Sequence, residues 1–182
     1  MILNIAINVG GYHYIGTGHT YRQITMMEEK PEFNYFFFIN KSQDLAKKLL
    51  EENLINYYVF NNENEFINKL KNLNIDIVIN DFLDTEKNYI EELKNLNYFV
   101  INFEDRGTGI KYADIVINDM YDIKSKLNNI YTGYEYTCMR RDLKLYSNLK
   151  YNEEVKNIII TFGGSDPQNF TKQVLDLILE EN

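Results

Sequence analysis

The residues best placed to do chemistry are Gly16, Thr17, Gly18 and His19, which stand about ten residues beyond the first predicted strand and just ahead of a helix predicted over 20–27. In an open α/β sheet the ligand crevice lies outside the carboxyl ends of the strands, beside the helix N-termini that follow them. An imidazole held there, on a loop whose glycines let backbone and ligand come close, is suited to general-base work. The positive end of the helix favours the neutral imidazole, which is the form that accepts a proton. Arg22, one turn further on, either contacts a phosphate or pairs with a carboxylate such as Asp81 or Glu104. His13, six residues before His19, reads as a surface loop residue.

Acidic groups follow two predicted strands. Asn80-Asp81-Phe82-Leu83-Asp84 comes after the fourth and Glu104-Asp105-Arg106-Gly107 after the fifth, so both should open on the edge that carries His19. Asp81 or Glu104 either orients His19 or binds hydroxyl groups of a ligand. The plainer reading makes Glu104 and Asp105 solvated turn residues and Asp84 the cap of a helix starting near Thr85. Further along, Gly163-Gly164-Ser165-Asp166 lies between a predicted strand and a predicted helix. It is either a backbone cradle for a phosphate at the helix N-terminus or a tight turn in which Ser165 or Asp166 helps to cap. Cys138 sits in a packed segment, Tyr136 to Arg141, with no histidine nearby in sequence to activate it.

The standard nucleotide signatures are absent. Gly16-Thr17-Gly18-His19-Thr20-Tyr21 begins like Gly-x-Gly-x-x-Gly but places Tyr21 where the third glycine belongs, and no acidic ribose reader closes the second strand at Phe38-Ile39-Asn40-Lys41. No Gly-Lys-Ser/Thr sequence forms a phosphate loop. A dinucleotide dehydrogenase and a P-loop NTPase are both disfavoured.

The elements that must position these residues follow from hydrophobic period. Apolar, β-rich runs occupy 3–8, 35–39, 57–60, 75–79, 98–103, 115–117 and 157–162, and amphipathic helical stretches occupy 43–52, 63–73, 85–96 and 169–180. Strands alternating with helices and joined right-handedly give a parallel sheet covered on both faces, a Rossmann-like doubly wound α/β domain. After Asn118 the pattern loosens. A polar segment at 147–154 precedes a fresh strand, turn and helix, so the expected organisation is one domain over 1–150 and the start of a second over 151–182. One strand and one helix cannot enclose a core, so they either pack on the first domain or begin a domain that continues past Asn182.

Composition narrows the class. The 182 residues are 45% hydrophobic and 25% charged, an ordinary globular balance. A formal charge of -8 argues against general binding to nucleic acid or to an acidic membrane surface. No apolar run is long enough for a transmembrane helix, and the first residues lack a basic leader, so the expected location is the cytoplasm. Two histidines and one cysteine offer no structural-zinc spacing, and neither a metal nor an organic cofactor is expected.

Taken in order, the motifs form one set: Gly16-x-Gly18-His19-x-x-Arg22, Asp81-Phe82-Leu83-Asp84, Phe103-Glu104-Asp105, Ala113-Asp114-Ile115-Val116-Ile117-Asn118, Gly133-Tyr134-x-Tyr136-x-x-x-Arg140 and Thr161-Phe162-Gly163-Gly164-Ser165-Asp166-Pro167-x-Asn169. Over nearly its whole length the chain resembles the UDP-sugar hydrolases of the pseudaminic acid pathway and their relatives in spore coat polysaccharide biosynthesis. The resemblance implies the N-terminal half of a glycosyltransferase B-type fold, two Rossmann-like domains facing a cleft with the nucleotide held mainly by the second. It also implies hydrolysis of a UDP-linked amino sugar to free sugar and UDP in nonulosonic acid or surface polysaccharide synthesis, with His19 activating water.

On that basis Gly16, Thr17, Gly18, Arg22, Asp81, Glu104, Asp105 and Tyr136 are expected at the substrate, and Gly163, Gly164, Ser165 and Asp166 at the nucleotide. Most of the second domain of such enzymes has no counterpart here, so a missing or fused partner domain is expected and the chain alone should turn over slowly or not at all. The Phe103-Glu104-Asp105 and Gly107-Thr108-Gly109 segments look more like the relatives of unsettled activity. Glycosyl transfer and noncatalytic binding of a sugar nucleotide stand as the alternatives.

Overall fold

In the computed structural model, residues 2–14, 16–120, 126–140, 143, 154–163 and 166–180 are described. The expected boundary near 150, together with Gly164 and Ser165, lies outside them. Seven strands form one sheet: β1 (Asn4–Val9), β2 (Asn34–Asn40), β3 (Tyr57–Phe60), β4 (Ile77–Asp81), β5 (Phe99–Phe103), β6 (Ile115–Asn118) and β7 (Ile130–Thr132). Their order is β3-β2-β1-β4-β5-β6-β7, every pair parallel. The winding reverses between β1 and β4, which is where a doubly wound sheet opens its crevice. The expectation of a Rossmann-like α/β fold is met.

The helices are α1 (Gly18–Glu29), α2 (Asp44–Glu52), α3 (Glu63–Leu70), α4 (Lys87–Asn95) and α5 (Phe170–Glu180). The period of two along each strand divides the core into two layers. Ile5, Ile7, Val9, Phe37, Ile39, Ile79 and Phe103 pack with Ile24 of α1 and Ala46, Leu49 and Leu50 of α2. Ala6, Phe38, Val78, Val100 and Val116 pack on the other face with Phe66, Ile67 and Leu70 of α3 and Tyr89, Ile90 and Leu93 of α4. Each face is therefore sealed by apolar side chains, as a parallel sheet requires.

Polar residues occupy the ends of these rows. Asn8, Asn80 and Asn102 stand opposite one another across β1, β4 and β5 on the α3/α4 face. Asn8 donates to the Tyr89 hydroxyl at 3.3 Å, Tyr89 donates to Asn80 Oδ1 at 2.7 Å, and Asn80 donates to Asn102 Oδ1 at 2.9 Å. Asn102 passes the chain to Asp105 Oδ2 at 2.6 Å. One residue on, at the end of β4, Asp81 faces the opposite side and meets α1.

Several expectations need correction. The first helix starts at Gly18, not Thr20, so His19 lies inside its first turn. β4 runs two residues later than expected, which makes Asp81 the last residue of the strand and not part of the following loop. β7 was not foreseen: three residues whose side chains are only half-buried or exposed carry too little pattern. Asp84 caps nothing; α4 begins at Lys87 after Glu86, and Asp84 Oδ1 accepts the Arg106 N–H at 2.9 Å.

Nor does the strand expected over 157–162 form. Ile158 is 74% and Ile159 87% exposed, and without a neighbouring strand to complete its hydrogen bonds an extended segment gains nothing from strand geometry. The helix that follows does form, as α5, but buries none of its residues.

Candidate active site

Three residues of α1 meet one carboxylate. His19, Arg22 and Gln23 are spaced i, i+3, i+4, which places them on one helix face, and that face is buried against the end of β4. The helix is set by its approach: Gly16 takes φ 73°, and Thr20 Oγ1 donates to the Gly10 carbonyl at 3.1 Å. Asp81, fully buried, accepts from Arg22 Nε at 2.9 Å, Arg22 NH2 at 2.7 Å and Gln23 Nε2 at 2.7 Å, and it lies 2.6 Å from His19 Nδ1.

This geometry decides the tautomer of His19. A carboxylate can only accept, so the 2.6 Å contact assigns the Nδ1 proton to Asp81. The Arg22 NH2 group, 3.2 Å from Nδ1, can only donate and finds its acceptor in Asp81 instead. In the neutral imidazole Nε2 is then the acceptor nitrogen. Glu104 Oε2, at 3.9 Å, is too far to hydrogen-bond it directly.

Arg22 lies among three carboxylates. Besides Asp81 it donates through NH1 to Glu104 Oε1 at 2.5 Å, and Asp119 Oδ1 lies 3.7 Å from NH1. Its guanidinium also covers the Phe103 ring at 5.2 Å. Burial works against the charge of Arg22, but the hydrogen bonds and charges of Asp81 and Glu104 outweigh it and hold the guanidinium more firmly protonated than usual. Burial likewise pushes the Asp81 carboxyl up, and the bonds and charge of Arg22 and His19 overcome it, leaving Asp81 below the ordinary aspartate value.

The surrounding cavity measures about 660 Å3 and is walled by His19, Arg22, Leu83, Glu104, Asp119 and the segment Thr137 to Arg140, among others. Leu83, at φ 80°, and Glu104, at φ 51°, hold left-handed backbone that costs a side-chain-bearing residue roughly 1–3 kcal/mol, strain of the kind that gathers at functional sites. Burial raises the Cys138 thiol above its ordinary range, against a nucleophilic role for it.

Of the residues expected at a substrate, His19, Gly18, Arg22 and Glu104 line the cavity, and Asp81 stands directly behind His19 and Arg22. Gly16 and Thr17 shape the approach without lining it. Asp105 is not a solvated turn residue and does not reach the cavity. It is fully buried, accepting the Thr85 N–H and hydroxyl, the Asn102 amide and the Gly107 N–H, and so ties the loop after β5 to the start of α4. Tyr136 turns outward against Tyr131, while its successors Thr137 and Cys138 form the wall.

Asp166 accepts the N–H groups of Phe170 and Thr171, each at 2.9 Å, and these bonds, that of Thr171 foremost, lower its carboxyl pKa: it is a helix cap. Gly163 has φ 77° with open space around it. His13 is exposed. Gln23 and Asp119 were missed by sequence reasoning. The signal for Gln23 was present in its spacing from His19, whereas Asp119 is brought in only by the pairing of β5 with β6.

Comparison with known proteins places this geometry in context. Over a gapped alignment of 199 positions the chain is 32% identical to an uncharacterized protein of Methanocaldococcus jannaschii, with 99% of this chain and 40% of that protein covered. Over 187 residues it is 26% identical to the spore coat polysaccharide biosynthesis protein SpsG of Bacillus subtilis, with 95% of this chain and 54% of SpsG covered. The chain is a distant homologue of SpsG. It spans only about half the length of SpsG and less of the archaeal protein. No protein-family profile matches it. The described residues contain no helix long and apolar enough to cross a membrane.

Proposed function

We propose that this chain supplies the catalytic half of an enzyme of surface-polysaccharide synthesis that hydrolyses a UDP-linked amino sugar, with His19 as general base. The observation that carries the reading is the 2.6 Å contact between His19 Nδ1 and Asp81, which makes Nε2 the acceptor nitrogen of the neutral imidazole, at a cavity wall. The similarity to SpsG, a spore coat polysaccharide biosynthesis protein, supports a place in polysaccharide synthesis.

In this reading Nε2 takes a proton from water as the water oxygen bonds to the anomeric carbon. The bond from that carbon to the diphosphate oxygen breaks, and UDP leaves with the electron pair. Asp81 keeps the imidazole aligned and stabilises the imidazolium that forms, as a buried carboxylate does behind a catalytic histidine. Glu104 and Asp119 add negative charge beyond what Arg22 neutralises, to the same effect. The uridine and diphosphate fall to a second domain opposite this edge, of which Gly163 to Asp166 form the beginning.

Release of UDP, measured without an acceptor on the longest form of the protein with a panel of UDP-linked N-acetylamino and 2,4-diacetamido sugars, tests the reading. Release that disappears in His19→Ala, with the fold intact, supports hydrolysis. UDP formed only when an acceptor is present assigns transfer instead, and activity and ligand affinity both unchanged in His19→Ala assign a binding role.

A further inference from the structure

A second cavity, of about 480 Å3, opens at the same sheet edge, at the ends of β1, β2 and β3 beside the start of α3, and shares no lining residue with the His19 cavity. Its lining combines carboxamides with two phenyl rings, and its only charged member is Glu63. We infer that this cavity binds a neutral saccharide unit, separately from the ligand of the His19 site.

The amides carry the argument. Asn8 is 5% exposed, spends its Nδ2 on Tyr89 and has no partner for Oδ1 among the described residues. Gln43 uses Oε1 to accept the Gly11 N–H at 2.6 Å, which leaves its NH2 unspent. Asn62 uses Oδ1 to cap the Glu65 N–H at 3.0 Å and likewise keeps its NH2. The Asn64 side chain makes no hydrogen bond among the described residues. Acceptor and donor groups thus converge on one space, and each amide NH2 or carbonyl can meet a hydroxyl or acetamido group.

Phe60, buried, and Phe82, half-buried, supply the apolar surface on which the C–H face of a sugar ring rests. No lysine or arginine lines the cavity, so a phosphate would meet Glu63 with nothing to neutralise it. Position agrees with chemistry, because Val9 ends β1 and Phe82 follows β4, the two strands between which the winding reverses. The inference stands without the hydrolytic reading.

Saturation-transfer NMR on the longest form of the protein, with methyl glycosides of glucose, galactose, mannose, N-acetylglucosamine and N-acetylgalactosamine as probes, tests it. At least one probe should saturate at millimolar concentration. Asn64→Ala, which removes an exposed side chain and no side-chain hydrogen bond of the fold, should weaken that probe about fivefold, and Asn64→Ala with Glu63→Ala further. His19→Ala should leave the affinity unchanged. The inference is overturned if no probe saturates, if the affinity survives both cavity variants in proteins with an unaltered circular dichroism spectrum, if it is lost in His19→Ala, or if uridine binds the cavity while the glycosides do not.

Discussion

With both oxygens of Asp81 engaged by Arg22, Gln23 and His19, removing its charge leaves a guanidinium and an imidazole N–H buried against a neutral amide. Breaking one partner of a buried pair costs about 3–5 kcal/mol, so Asp81→Asn should lower the stability measured by urea unfolding by that order. Arg22→Lys should cost a comparable amount, since a point charge cannot hold Asp81 through two nitrogens and Glu104 through a third. The Asp81 carboxyl is depressed in the fold. Its stabilisation is therefore complete above the unfolded aspartate range and lost as pH falls through the lower folded value. The urea midpoint should drop as pH falls below about 5, and this share of the drop should vanish in Asp81→Asn. Gly18 gives a test of opposite sign. A Cβ there meets nothing within 4 Å, and alanine is the better helix former, so Gly18→Ala should raise stability by up to about 1 kcal/mol. The open space faces the cavity, and the same change should weaken the binding of any ligand that fills it.

The loop after β5 shows how elements are held in register by polar groups. Asp105 binds Thr85, Asn102 and Gly107, and Gly109 donates to the Thr85 carbonyl at 2.9 Å, so the loop and the entry to α4 form one unit. A Cβ on Gly109 would collide with the Thr85 hydroxyl and the Ile90 side chain. Gly109→Ala should accordingly cost about 1–3 kcal/mol and lower the thermal midpoint, and because Glu104 begins this loop it should also disturb the salt bridge to Arg22. Elements with strong period were legible in the sequence: β1, β3, β5 and β6 lie where apolar runs predict them, and α2 and α3 where amphipathic spacing does. What could not be read depends on pairing over distance. Three residues become β7 only because Val116, Ile117 and Asn118 offer an edge, and 157–162 stays out of the sheet because it pairs with none of the described strands. Within the site, His19, Arg22, Asp81 and Glu104 were legible from type and position, but which carboxylate orients the histidine was not. That is settled by the sheet register, which turns Asp81 toward α1 and Asn80 away from it.

At the scale of the whole molecule, burial is distributed unevenly. β1 and β4, paired with each other and flanked on both sides by further strands, carry Ala6, Ile7, Val9 and Val78 at no more than 1% exposure, whereas α5 buries no residue at all. Local opening free energies track buried apolar contact, so the molecule should not exchange its amide hydrogens as a single unit. In hydrogen exchange under native conditions the amides of β1, β4 and β5 should open only with global unfolding, at about 5–15 kcal/mol for a domain of ordinary stability. Those of α5 should open close to zero, apart from the first turn, where Asp166 accepts two N–H groups. Equal protection of α5 and β1 would show that α5 gains contacts in solution beyond those described here. Protection of α5 that rises on adding a UDP-sugar, while β1 and β4 stay unchanged, would tie the two halves of the chain through the ligand and support the cleft proposed above.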